Sequence, residues 1–108
     1  MAINYKVLGQ VAPGATTQTT LYTVPAATQA VCSTLAICNR GASTTFRIAV
    51  QPAGASLISQ MYIAYDAAIN ANDSVYLTLG VTLAATDLIS IYANTANVSF
   101  SLFGSEIS

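Results

Sequence analysis

The run Val98-Ser99-Phe100-Ser101-Leu102-Phe103 places a large apolar residue at every second position, with serine between the first three. A helix repeats every 3.6 residues and a strand every two, so this run reads as a half-buried strand with Val98, Phe100 and Leu102 on one face. The same period recurs along the chain. Val31, Ser33, Leu35 and Ile37 alternate with Cys32, Thr34, Ala36 and Cys38, and Phe46, Ile48 and Val50 alternate with Thr45, Arg47, Ala49 and Gln51. Val75, Leu77 and Leu79 alternate with Ser74, Tyr76 and Thr78, while Ile89 shares a face with Ile91. Alternation with small polar residues marks antiparallel strands packed on one side.

Turn residues separate the runs: Pro13-Gly14, Pro25, Asn39-Arg40-Gly41, Pro52-Ala53-Gly54, Asn70 to Asp73, Gly80, Ala85 to Asp87, and Asn94 to Asn97. The reading predicts strands at about 3–11, 19–24, 29–38, 44–51, 58–65, 74–79, 88–93 and 97–103. Tyr62 and Tyr65, three apart, admit a helical turn within residues 57–68, although the β-branched and aromatic content there favours strand. The expected fold is all-β: one antiparallel β-sandwich of about eight short strands, jelly-roll-like, occupying residues 1–108 as a single domain. Residues 1–11 are expected to be an edge strand or an arm that pairs with a partner's sheet edge.

Charge decides what such a sandwich can do. Of 108 residues, 54% are hydrophobic and only 6% charged: Lys6, Arg40, Arg47, Asp66, Asp73, Asp87 and Glu106. Soluble domains carry about 25% charge. The net charge of −1 excludes a basic nucleic-acid surface, and high hydrophobicity excludes disorder. The longest charge-free stretch, 7–39, contains Pro13, Gly14, Pro25 and many Thr, so it is no membrane-spanning helix. The start Met1-Ala2-Ile3-Asn4-Tyr5-Lys6 lacks the pattern of a signal peptide, which predicts synthesis in a cytoplasm. Thirteen Thr and ten Ser, against one Lys and one Glu, fill outward positions. Sheet edges are commonly guarded by charge, especially Lys. Its scarcity predicts surfaces covered in a permanent assembly, the alternative being a monomer with a hydroxyl-rich surface.

Catalysis has little to work with. His is absent, and Asp66, Asp73 and Asp87 stand beside predicted turns, where Asp is an ordinary residue. Asn70-Ala71-Asn72-Asp73 has too few carboxylates for a calcium loop and reads as a hairpin turn. No catalytic residue, cofactor or metal is therefore expected. Cys32 and Cys38 would lie about 20 Å apart on one straight strand, too far for a disulfide with each other, and are expected to be buried and reduced, the alternative being a bridge between molecules. Tyr5, Lys6, Arg40, Arg47, Tyr62 and Tyr65 are the candidate interface residues. Arg47 is expected to face outward, either solvated or paired with an acid of a neighbouring copy. The tyrosines suit interfaces, or glycan stacking.

Several segments, taken together, carry a family resemblance: Leu21-Tyr22-Thr23-Val24-Pro25-Ala26, Ile37-Cys38-Asn39, Asn72-Asp73-Ser74-Val75-Tyr76-Leu77-Thr78-Leu79-Gly80, Leu83-Ala84-Ala85-Thr86-Asp87-Leu88-Ile89, and the tail from Val98-Ser99-Phe100 to Gly104-Ser105-Glu106-Ile107. Over residues 19–107 the chain resembles small virion structural proteins of tailed bacteriophages, especially phages of marine bacteria and cyanobacteria. The resemblance implies a non-enzymatic sandwich that assembles on a virion, with no active site to map. Its first expected role is capsid decoration: a homotrimer that cements neighbouring copies of the major capsid protein. Alternatives are a tail, neck or fibre component, a receptor- or glycan-binding module, and a self-polymerising β-fibre.

Overall fold

A computed structural model describes residues 2–108. Eight strands follow in chain order: β1 (Ile3–Val11), β2 (Thr19–Thr23), β3 (Gln29–Asn39), β4 (Thr44–Gln51), β5 (Tyr62–Ile69), β6 (Ser74–Leu83), β7 (Leu88–Ala93) and β8 (Val98–Ile107). They form two antiparallel sheets, ordered β1-β8-β3-β6 and β2-β7-β4-β5. First pairs with last and second with seventh, then third with sixth and fourth with fifth. One long antiparallel ribbon is thus wrapped on itself, closed by β3–β8 and β4–β7 pairing. This is the jelly-roll path.

Alternation builds the core. Val98, Phe100 and Leu102 of β8, Leu35 and Ile37 of β3, Ile48 of β4 and Ile89 and Ile91 of β7 are all buried between the sheets. Phe100 meets Phe46 of the opposite sheet edge-to-face, at 6.3 Å between ring centres. Each such side chain contributes about 1.5–3 kcal/mol on burial. Among the described residues, no buried side-chain nitrogen or oxygen lacks a hydrogen-bond partner. Buried Asn39 illustrates this: its amide donates to the Ala42 and Asn70 carbonyls and its oxygen accepts from the Gly41 amide.

The structure departs from the sequence reading in several places. β5 begins at Tyr62, four residues later than expected, because Ser59–Met61 form a 3-10 turn. β6 runs past Gly80, which at φ +64° sits within a bulge rather than a turn. β8 continues to Ile107, with Gly104 beneath β3: a β-carbon there would collide with the Val31 carbonyl oxygen. The 70–73 segment is no hairpin, since it carries the chain from one sheet to the other. On β3 a bulge at Ser33 reverses the phase, so Cys32, not Val31, shares the core face with Leu35 and Ile37. Cys32 is accordingly buried, but Cys38 is only half-buried, and both are free thiols. β1 is an edge strand bonded to β8 from Ile3 to Val11.

Candidate interaction surfaces

Arg47 projects outward from β4 between buried Phe46 and Ile48. It faces a bulge on β5, where Tyr65 and Asp66 oppose one residue and Asp66 adopts φ +50°. A bulge re-aims side chains, and here it presents Asp66 to Arg47. Arg47 Nε donates to Asp66 Oδ1 at 2.7 Å and Nη2 to Oδ2 at 3.4 Å. The partner is therefore an acid of the same chain, not of a neighbouring copy. The Arg47 guanidinium carbon lies 4.2 Å from the Tyr65 ring centre and 4.5 Å from that of Tyr92. Hydrogen bonding to Asp66 holds the guanidinium charged well beyond its ordinary range. Tyr65 meets Tyr62 edge-to-face at 4.8 Å. A second bulge, at Ile63, lies between these tyrosines and helps bring them together. Leu57, Ile58, Ser59, Tyr62 and Tyr65 line an open concavity beside this cluster.

The opposite sheet shows a different surface. Ile3, Tyr5 and Val7 of β1 and Phe103 of β8 are exposed, Tyr5 by 84%. Val7 pairs with Phe103 and Ile3 with Ile107, which joins the two strands' side chains into one apolar stripe. Tyr76 stands 70% exposed on β6. Such a stripe is the kind of surface that marks an interaction site.

Lys6 belongs to neither surface. It turns to the other side of β1 and pairs with Glu106 Oε1 at 2.9 Å. Glu106 is buried, and its Oε2 accepts from Tyr22 of the facing sheet at 2.5 Å. The hydrogen bond from Tyr22 and then that from Lys6 favour the charged carboxylate and hold its pKa below the ordinary glutamate value. Burial and the Glu106 charge raise the Tyr22 hydroxyl well above its own. Arg40 reaches the Ala96 carbonyl of the neighbouring loop at 3.3 Å. Asp87 accepts from the Ala53 and Ala84 amides, both at 2.8 Å, tying two loops together. Asp73 accepts from the Ser74 amide. All seven charged side chains thus have partners within the chain.

The six sequence-selected residues fall into three places: Arg47, Tyr62 and Tyr65 together, Tyr5 on the opposite sheet, and Lys6 and Arg40 in internal contacts. Sequence reasoning left Tyr92 out of the candidate interface set and missed the Arg47–Asp66 and Glu106–Tyr22 bonds, since each depends on pairing between strands. The edges also differ from expectation. All four edge strands carry a bulge: β1 at Leu8, β2 at Leu21, β5 at Ile63 and at Tyr65–Asp66, and β6 at Leu79–Gly80. Bulges blunt edges as charge does, so edge protection here is carried by the backbone. Among the described residues no three Cys, Asp or Glu side chains cluster as metal ligands, and no helix is long and apolar enough to cross a membrane.

No family model and no curated protein matches this chain. Among solved structures it is similar to a chain in the structure of infectious bursal disease virus, Gx strain, with a TM-score of 0.51 at 10% identity. The likeness covers 97% of this chain and 30% of the viral one, so this chain spans less than a third of that length. What the likeness shows is the fold alone.

Proposed function

We propose that the protein is a structural subunit of a virion, with no enzymatic role. One observation carries the reading: a fold shared with a chain of a virus structure exposes Ile3, Tyr5, Val7, Tyr65, Tyr76 and Phe103, while each charged side chain has a partner within the chain. Interface cores are depleted in charge and enriched in aromatic residues, which is the composition of the stripe of Ile3, Tyr5, Val7 and Phe103. The finer reading is capsid decoration on a tailed-phage head, as a homotrimer contacting the major capsid protein. The bulged edges favour contact through sheet faces and weigh against a fibre grown by strand exchange.

The test mixes purified protein with undecorated expanded heads. Saturable binding at hundreds of copies per particle supports decoration. Tens of copies or fewer on whole virions point to a tail or neck part. Absence from purified virions refutes the structural role.

A further inference from the structure

We propose that the concavity formed by Leu57, Ile58, Ser59, Tyr62 and Tyr65 is a binding site for a neutral carbohydrate chain, which would give the particle subunit a second, adhesive function. Charge comes first. Arg47 and Asp66 neutralise each other beside Tyr65, the lining residue on which Arg47 stacks. A phosphate or carboxylate would meet the Asp66 carboxylate, and an ammonium group would meet the Arg47 guanidinium. A hydroxyl both donates and accepts, and an Arg–Asp pair offers donors and acceptors side by side. Nε and Nη2 of Arg47 face Asp66, which leaves further N–H groups, and the carboxylate has lone pairs beyond those Arg47 uses.

Shape and rigidity agree. The Tyr62 and Tyr65 ring planes meet at 84°, forming an aromatic corner, and Tyr65 is 58% exposed. The C–H face of a pyranose packs on such rings while their hydroxyls bond its edge. Arg47 stacked on Tyr65 and Tyr92 holds the corner in place before any ligand arrives, which lowers the ordering cost of binding. The concavity is open to solvent, so it fits a segment of a polymer laid across it rather than an engulfed small molecule.

The chain has no Trp, and three of its six tyrosines, Tyr62, Tyr65 and Tyr92, belong to this surface, so tyrosine fluorescence includes its signal and amide NMR locates it. The test titrates maltohexaose, cellopentaose and chitopentaose, each to millimolar concentration, by amide NMR and tyrosine fluorescence, with inorganic phosphate as the anionic comparison. The expected result is a saturable shift with at least one sugar, confined to residues 57–66 and Tyr92, and none with phosphate. Tyr62→Ala should weaken binding by about tenfold or more. Tyr62→Phe keeps the ring and should retain binding, as should Tyr5→Ala on the opposite sheet. No saturable shift with any of the sugars overturns the proposal. So does full binding by Tyr62→Ala, or a shift of this surface that follows protein concentration alone and so marks a contact between copies.

Discussion

Removing the Glu106 carboxylate should destabilise the sandwich through a bond that crosses it. Glu106 on β8 accepts from Tyr22 on β2 of the other sheet and from Lys6 on β1. A hydrogen bond to a charged group contributes about 1.5–3 kcal/mol. The lysine side chain is 48% exposed, so that ion pair adds at most about 1 kcal/mol. Glu106→Ala should therefore cost about 2–4 kcal/mol, since it also leaves the Tyr22 hydroxyl without its acceptor. For a chain of this size that is a fall in Tm of about 10–25 °C. Urea unfolding of Tyr22→Phe, Glu106→Gln and the double variant isolates the bond, with an expected coupling of about 1 kcal/mol or more. The pH dependence has a fixed sign. Because the folded-state pKa of Glu106 is lowered, its stabilisation is complete above the unfolded glutamate value of about 4.3 and is lost as the pH falls below it. The stability gap between wild type and Glu106→Gln should hold constant at neutral pH and narrow below about pH 4.3. A coupling indistinguishable from zero, or a gap that widens in acid, would refute the reasoning.

Other predictions follow from burial and contact. Gly104→Ala should cost several kcal/mol or prevent folding, because its β-carbon has no space beneath the Val31 carbonyl; thermal unfolding of soluble protein measures this. Folded protein should take up a thiol reagent quickly at Cys38 and slowly at Cys32, whose thiol burial pushes to about pKa 11; mass spectrometry of the labelled peptides reads the difference. Asp66→Ala should change stability by no more than about 1 kcal/mol by urea unfolding, since the Asp66 side chain of the Arg47 pair is 43% exposed. Joint substitution of Tyr5 and Val7 by lysine should leave the fold intact by circular dichroism while lowering the mass of any assembly seen by light scattering.

The period of two was enough to reveal an all-β sandwich, because a strand's side chains alternate whatever its neighbours are. Strand positions such as 44–51 and 88–93 were legible residue for residue. Glycine misled the reading at Gly80, where a local signal for a turn served a bulge inside a strand. Serine misled it at Ser33, where one extra residue moved Cys32 onto the core face. The composition already carried the scarcity of charge, and residue type placed Arg47, Tyr62 and Tyr65 among the candidate interface residues. Which charges meet is a different matter. Arg47 lies nineteen positions from Asp66 and Tyr22 lies eighty-four from Glu106. Those partners are selected by strand order and by bulges in the edge strands, which arise from the pairing of distant segments. Local periodicity therefore determined the class of fold, and only the wrapped ribbon decided that the charges would be engaged inside the chain, that the edges would be blunted by backbone, and that an aromatic corner would open on one face.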